Sequence, residues 1–156
     1  MLAAAHEIER LIGLVRQSFQ RLKRVGDGLH ADLGINASSR AILEDITLNG
    51  ERTVPQIAAS KEVSRQHIQK IVDALIDLGC VTAKPNPDHQ RSPFIALTAA
   101  GKRKFAEARK REAVVLAKLA MSLKASNVSD GCRALQSLLQ SLEPFSKGES
   151  NERNSE

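Results

Sequence analysis

The chain has 156 residues and a mass of 17.0 kDa, room for one domain of ordinary size with a single core. Apolar residues make up 42% and charged residues 26%, a balance that excludes a disordered chain. Charges interrupt every apolar run well short of the roughly 18 residues a membrane span needs, as Lys118 does within residues 113–123. The N-terminus carries Glu7 and no basic stretch, so it does not read as a secretory signal, and the two cysteines, Cys80 and Cys132, cannot build a disulfide framework. The expected location is a reducing cytoplasm.

The net charge of +5 is unevenly placed. Residues 1–49 and residues 113–156 are each neutral, whereas residues 50–112 hold twelve Lys or Arg against seven Asp or Glu. The whole surplus sits mid-chain, which is compatible either with a polyanionic partner or with a plain solvated surface.

In chain order, Ile8, Leu11, Ile12, Val15, Phe19 and Leu22 recur at steps of three and four, one stripe on a helix over residues 2–26 that Gly26-Asp27-Gly28 is expected to stop. Such a stripe must be buried by the far end of the chain or by a second subunit. A second helix starts after Asn36 or Ser38 and runs to Asn49-Gly50. Thr53, Pro55 and Gln56 form a Thr-x-x-Gln capping box for a short helix over residues 54–59. After a turn of about four residues, Ser64 caps a further helix that runs to Leu78 and stops at Gly79.

Two helices joined so tightly read as a helix-turn-helix. Ile68, Ile71, Val72, Leu75 and Ile76 make the buried face of the second, leaving Arg65, Gln66, His67, Gln69, Lys70 and Asp73 outward. Reading base edges in a major groove requires such donors: Arg pairs with guanine, Gln with adenine, and Lys and Arg also hold phosphates. Residues 80–83 and 92–97 then read as two strands around a polar turn, Lys84 to Arg91, with Pro93 confined to a strand start or edge. A hairpin directly after a recognition-type helix is a wing, whose tip can carry an arginine into a minor groove. Thr98 caps a long helix to about Leu123, its apolar steps interrupted near Glu112, and Ser129 caps a last helix that Pro144 ends. Residues 146–156 read as a disordered tail.

With these residues in place the chain resembles the MarR family of bacterial winged helix-turn-helix regulators. The resemblance rests on Leu75-Ile76-Asp77-Leu78-Gly79-Cys80-Val81, on Asn86-Pro87-Asp88-His89-Gln90-Arg91, and on Leu97-Thr98-Ala99-Ala100-Gly101. It implies a mainly α fold with a two-stranded wing: one domain over residues 1–145, its winged part at about 36–98, and flanking dimerisation helices at 2–26 and 99–145. It further implies a homodimer that binds a near-palindromic operator in double-stranded DNA, usually as a repressor and often released by a small-molecule effector. The residues expected at DNA are Ser64, Arg65, Gln66, His67, Gln69 and Lys70 on the recognition helix, Lys84, His89, Gln90 and Arg91 on the wing, and Arg52 and Thr53 at backbone phosphate. His89 stands where the family's wing carries an acid that orients the arginine. That leaves three readings open: Arg91 is held by Asp88, Arg91 is freer, or His89 itself touches phosphate. Arg10, Arg16 and His6 are polar positions on the first helix that an anionic aromatic effector would meet, although an intersubunit role is the plainer reading.

Other chemistry finds little in the sequence. No catalytic motif is present, so no enzyme activity is expected. Glu44-Asp45 reads as surface charge, and His6, His30, His67 and His89 are too scattered for a metal site, so neither metal nor cofactor is expected. Cys80 reads as a small core residue. The alternatives kept are a winged-helix module that docks protein, and a thiol-based redox regulator.

Overall fold

A computed structural model describes residues 3–146; the expected tail beyond Ser146, like Leu2 at the start of the expected first helix, lies outside the described residues. In chain order the elements are α1 (Ala5–His30), a 3-10 turn (Ala31–Leu33), α2 (Ala37–Asn49), β1 (Arg52–Thr53), α3 (Val54–Lys61), α4 (Arg65–Asp77), β2 (Val81–Lys84), β3 (Phe94–Leu97), α5 (Ala99–Ser122) and α6 (Ala125–Ser146). The chain divides into two compact units after Ala113, within α5.

The first unit is the winged helix-turn-helix with α1 and the start of α5. Ile42 and Leu43 of α2, Ile57 of α3, Ile68, Val72 and Leu75 of α4, Cys80, Ile95 of β3 and Phe105 of α5 form one buried cluster. Each large aliphatic side chain so buried contributes about 1.5–3 kcal/mol. Cys80 is fully buried, as expected of a small core residue, whereas Cys132 is exposed.

Short-range signals place the elements. The Asn36 side chain accepts from Ser39 N at 2.9 Å and starts α2. Thr53 and Gln56 exchange the two bonds of a capping box, Thr53 N to Gln56 Oε1 at 2.9 Å and Gln56 N to Thr53 Oγ1 at 3.4 Å. At the end of α4, Gly79 takes φ +67° while Gly79 N and Cys80 N donate to the carbonyls of Ile76 and Leu75, both at 2.8 Å. This is the left-handed helix stop that glycine permits.

Several expectations are corrected. The Gly26-Asp27-Gly28 stop does not end α1, which continues to His30. Helix-interior glycines cost about 1 kcal/mol each, but the last turn is held in place: Asp27 Oδ1 accepts from Ala37 N at 2.8 Å and Arg111 Nη1 donates to Leu29 O at 2.9 Å. The long helix α5 runs unbroken, and the gap in its apolar steps at Glu112 marks a partner: the Glu112 carboxylate accepts two bonds from Arg40, Nε at 2.6 Å and Nη2 at 2.8 Å. The last helix starts at Ala125, so Ser129 lies inside it, and Pro144 lies within its final turn, where a missing N–H forfeits a single bond. The wing hairpin gains a third strand, because Arg52 pairs with Ile95 and Thr53 with Phe94, giving the antiparallel order β1-β3-β2. Asp45 is not surface charge: it is 5% exposed, its Oδ1 accepts from Asn49 Nδ2 at 3.2 Å, and Arg52 stands 3.5 Å from its Oδ2.

The second unit, described by itself, holds the remainder of α5 and all of α6. Leu116 and Leu119 on the one helix, Leu123 just past its end, and Leu135, Leu139, Leu142 and Phe145 on the other, are exposed in the single chain. No helix among the described residues is long and apolar enough to cross a membrane.

The opening of α5 explains the Leu-Thr-x-x-Gly motif. Thr98 Oγ1 accepts from Gly101 N at 2.9 Å and lies 2.7 Å from Gly79 O, while Thr98 N donates to Cys80 O at 3.0 Å. Gly101 faces the same carbonyl so closely that an added Cβ would stand 1.9 Å from Cys80 O. Gly101→Ala must therefore push α5 off the base of the wing, and a loss of about 3 kcal/mol or more is expected in urea unfolding. A second prediction concerns acid. Arg111 donates to both oxygens of Asp32 and holds that carboxyl below the usual carboxylate range. A lowered native value stabilises the fold at neutral pH and loses that contribution as pH falls through it. The stability difference between wild type and Asp32→Asn, small because the pair is exposed, should thus be present at pH 7 and fade as pH falls through the lowered native value of Asp32.

Candidate nucleic-acid interface

The turn between α3 and α4 is built from Glu62, Val63 and Ser64. Glu62 adopts φ +53°, a left-handed conformation, and the turn closes as Val63 N donates to Ala58 O at 3.1 Å. Ser64 Oγ then accepts from His67 N at 3.2 Å, which starts α4 while leaving its own hydroxyl hydrogen free to donate outward.

Buried Ile68, Val72 and Leu75 fix the rotation of α4 against the core. Ile71 is half-buried, and Ile76, expected on the buried face, is 40% exposed. With that rotation set, Ser64, Arg65, Gln66, His67, Gln69 and Lys70 are all exposed. The side chains of Arg65, Gln66, His67 and Lys70 have no hydrogen bond or ion pair among the described residues. At 100° per residue, Gln66 and Lys70 occupy the outermost row of the helix, which Asp73 and Asp77 continue. The first half of α4 therefore presents donors outward and the second half presents carboxylates.

A groove of about 450 Å3 runs between α4 and the wing. Arg65, Gln66 and Gln69 line one side, Arg91, Ser92 and Pro93 the other, over a floor that includes Val72 and Ile95. Four of the expected residues thus meet in one concavity. Arg91 is exposed and unpaired among the described residues, with no bond to Asp88, so the reading in which Asp88 holds it does not describe this structure.

The other expected residues are distributed around this groove. His89 opens onto a second depression, shared with Gln56, Asn86 and Asp88. His67 faces a shallow hollow on the opposite side of α4, with Lys61 and Ile71. Gln90 is exposed. Lys84 pairs with Glu51 and borders a groove behind the wing. Arg52 is half-buried, held by Asp45 and by a 3.3 Å bond from Nη2 to Gln56 O. Thr53, expected at a phosphate, is instead buried with its hydroxyl oxygen committed to the α3 cap.

Two residues that sequence reasoning did not assign shape the site. Asn86 is 6% exposed; its Nδ2 donates to Ser92 O at 2.9 Å and its Oδ1 accepts from Asp88 N at 3.2 Å. With His89 N donating to Asn86 O at 3.2 Å, this one side chain folds the wing turn. Its signal in the sequence is an Asn before Pro-Asp, a turn-forming run. Asp73 accepts from Gln69 Nε2 at 2.7 Å and so restrains that amide, the i,i+4 spacing being the only signal.

No protein-family model matches the chain. Among proteins compared by sequence, it is 33% identical over 114 residues to the uncharacterized protein Rv2011c of Mycobacterium tuberculosis and to Mb2034c of Mycobacterium bovis, spanning 73% of this chain and 79% of each relative. Among solved structures it is similar to the MarR family transcription regulator SP03579, with TM-score 0.80 at 24% identity over 92% of this chain and 97% of that one. A mutant of MarR from E. coli complexed with operator DNA superposes with TM-score 0.73 at 23% identity, covering 92% and 100% of the two chains. A MarR family protein from Bacillus stearothermophilus gives 0.72 at 19% identity, covering 90% and 99%. The chain belongs to one family with the two mycobacterial proteins, and its fold is the MarR-type winged helix-turn-helix.

Proposed function

We propose that the protein is a sequence-specific, double-stranded DNA-binding transcriptional regulator that acts as a homodimer. The observation that carries this reading is the groove in which the unpartnered donors Arg65 and Gln66 of α4, with Gln69 beside them, face unpaired Arg91. Arg65, Gln66 and Gln69 have the length and hydrogen-bonding groups to address base edges, with Ser64, His67 and Lys70 at flanking phosphates. Arg91 enters the minor groove beside the site, and His89 and Gln90 accompany it along the sugar-phosphate backbone. Lys84 joins them by exchanging Glu51 for a phosphate, and Arg52 adds positive potential from its place beside Asp45. Thr53 serves the complex by holding α3 in register. The E. coli MarR structure similar to this chain was solved with operator DNA, which supports the same use of the fold.

Dimerisation is the reading that best accounts for the exposed stripe of α1. Ile8, Leu14, Val15, Phe19, Leu22 and Val25 are between 37% and 65% exposed in the single chain, a continuous apolar surface that water disfavours. The exposed leucines of α5 and α6 are a further apolar surface in the single chain. A two-fold pair presents two α4 helices to half-sites one helical turn, about 10 bp, apart, so the operator is a near-palindrome and its occupation represses a promoter in the cytoplasm. An effector that releases DNA has a fitting place under α1, where a cavity of about 390 Å3 is lined by Phe19, Leu22, His30, Arg40 and Glu112. His30 is fully buried there with neither ring nitrogen hydrogen-bonded, 3.4 Å from Glu112.

Selection of bound sequences from a random DNA pool, at stated salt, tests the whole reading: it should return a two-fold symmetric site, and a pool with no enrichment would refute it. Light scattering should give twice 17.0 kDa. On the selected operator, Gln66→Ala should cost roughly 1–3 kcal/mol and blur preference at one position. Lys70→Ala should weaken all sequences alike and reduce the slope of log affinity against log salt by about one. Arg91→Ala should weaken operator binding, and unchanged affinity would remove the wing from the interface.

A further inference from the structure

The positive surplus of the mid-chain does not lie where bases would be read. Residues 50–98, which carry α3, α4 and the wing, hold six Lys or Arg against five Asp or Glu, whereas residues 99–112 at the start of α5 hold six against two. Within α4 itself, Arg65 and Lys70 are balanced by Asp73 and Asp77. Two of the six cations on α5 are used internally: Lys104 donates to Leu33 O at 2.9 Å, and Arg111 binds Asp32, Glu107 and the carbonyl of Leu29. Both acids are committed as well, Glu107 to Arg111 and Glu112 to Arg40. The other four cations, Lys102, Arg103, Arg109 and Lys110, are all exposed, and none makes a hydrogen bond or ion pair among the described residues.

At 100° per residue these four fall into two parallel rows, Lys102 with Arg109 and Arg103 with Lys110, the members of each row about 10 Å apart along the axis. Ala99, Ala106 and Ala113, all exposed, occupy the strip between the rows. The large exposed apolar residues of α5 begin only at Val114. The cationic face therefore lacks the apolar anchor on which protein interfaces are centred, and it is distinct from the apolar surfaces that suit a second subunit.

We propose that this face of α5 is a second phosphate-binding surface, which holds duplex DNA outside the half-site under α4. The choice of DNA as occupant rests on the proposed function; the position of the surface does not. A duplex carries one negative charge per about 1.7 Å of its axis, so two rows of flexible cations meet phosphates in any register and read no base. The alanines between the rows let the backbone approach. Thr98 ties the start of α5 to the carbonyls at the base of the wing, and Lys102 and Arg109 border the same groove as Lys84 of β2, so the cationic face continues around the back of the wing. On this division α4 supplies sequence preference with no net charge, and α5 supplies the salt-dependent attraction that keeps the protein on DNA.

The test is fluorescence anisotropy of the full-length protein with a labelled duplex of random sequence, over a range of salt. Lys102→Gln/Arg109→Gln and Arg103→Gln/Lys110→Gln remove one row each. Each should weaken binding at least about tenfold at low salt and lower the slope of log affinity against log salt by about two, with thermal unfolding unchanged. Arg21→Gln/Arg24→Gln, which removes the same charge from exposed positions on α1, should leave affinity and slope as they are. Arg65→Ala/Gln66→Ala/Lys70→Ala should abolish preference for a selected operator yet keep more of the random-duplex binding than either α5 variant. Three outcomes overturn the proposal: wild-type binding in both α5 variants, an equal loss in the α1 variant, or displacement of the duplex by polyglutamate at equal charge, which would make the partner an acidic protein. If no operator can be selected while random-duplex binding still depends on the two rows, the proposed regulator fails and this surface stands. If a selected operator binds wild type and both α5 variants with one salt slope, and the random duplex does too, the regulator stands and this surface fails.

Discussion

The structure turns on the approach of α5 to the base of the wing. Thr98 and Gly101 meet the carbonyls of Gly79 and Cys80 at a point where α4 has just ended, β2 begins and β3 has just delivered the chain to α5. The hydrogen bonds there are worth about 1 kcal/mol each in net terms. The steric condition is far steeper, because a Cβ on residue 101 would stand 1.9 Å from an oxygen that cannot move without dragging the strand. Sterics therefore decide the geometry and hydrogen bonds secure it. The angle between α4 and the hairpin follows from this junction, and so does the groove that sets Arg65, Gln66 and Gln69 opposite Arg91. The far end of the hairpin is closed by Asn86, so the wing is pinned at both base and tip.

A second set of contacts fastens the end of α1 to the first unit. Arg40 grips Glu112 with two bonds and Glu44 with a third at 2.7 Å, lies 5.7 Å over the ring of Phe105, and has its guanidinium charge further stabilised by both carboxylates. Arg111 holds Asp32, Glu107 and the carbonyl of Leu29. The partly buried, bidentate Arg40–Glu112 pair holds its geometry, unlike exposed pairs such as Arg111–Asp32 and Arg133–Asp130, which contribute little. The contacts offset the helical cost of Gly26 and Gly28 and place His30 in the interior. Its two ring nitrogens lack partners there, a desolvation cost of about 1–3 kcal/mol that the surrounding clamps must exceed.

Most of the architecture was legible because its signals are local. Asn36, Thr53, Ser64 and Thr98 are side chains that satisfy backbone groups three residues away, and Gly79 is a backbone conformation, so each can be read without knowing the fold. The outward donors of α4 were legible for the same reason, since helix periodicity and five apolar residues suffice to assign its inner face. What escaped was set by partners distant in sequence. Gly26-Asp27-Gly28 looks like a stop until Ala37 and Arg111 arrive to hold it. Asp45 looks solvated until Arg52, Lys61 and Ser60 converge on it. Thr53 was assigned to phosphate because a hydroxyl beside Arg52 invites that reading, yet the cap that the same residue predicts already uses its oxygen. A two-residue strand such as β1 has no periodicity to detect, and it exists only because β3 lies beside it.

In the proposed complex, the charge order along α4 also constrains how the helix lies against a duplex. Gln66 and Lys70 on the outermost row give way to Asp73 and Asp77 on the same row, one and two turns further on. Two unit charges 4 Å apart in water interact by about 1 kcal/mol, and by more once a groove wall displaces solvent. A helix lying flat along the major groove would bring both carboxylates against phosphates and lose what Lys70 gains. Tilting α4 so that its first two turns enter and its last two lean out removes that repulsion at no cost in contacts. The tilt suits the cap as well, because the N–H groups exposed at Arg65 and Gln66 and the positive end of the helix dipole then point at the phosphate backbone. The donors, the dipole and the acids therefore favour one orientation in the proposed complex, with Arg91 standing across the groove from Arg65 and Gln66.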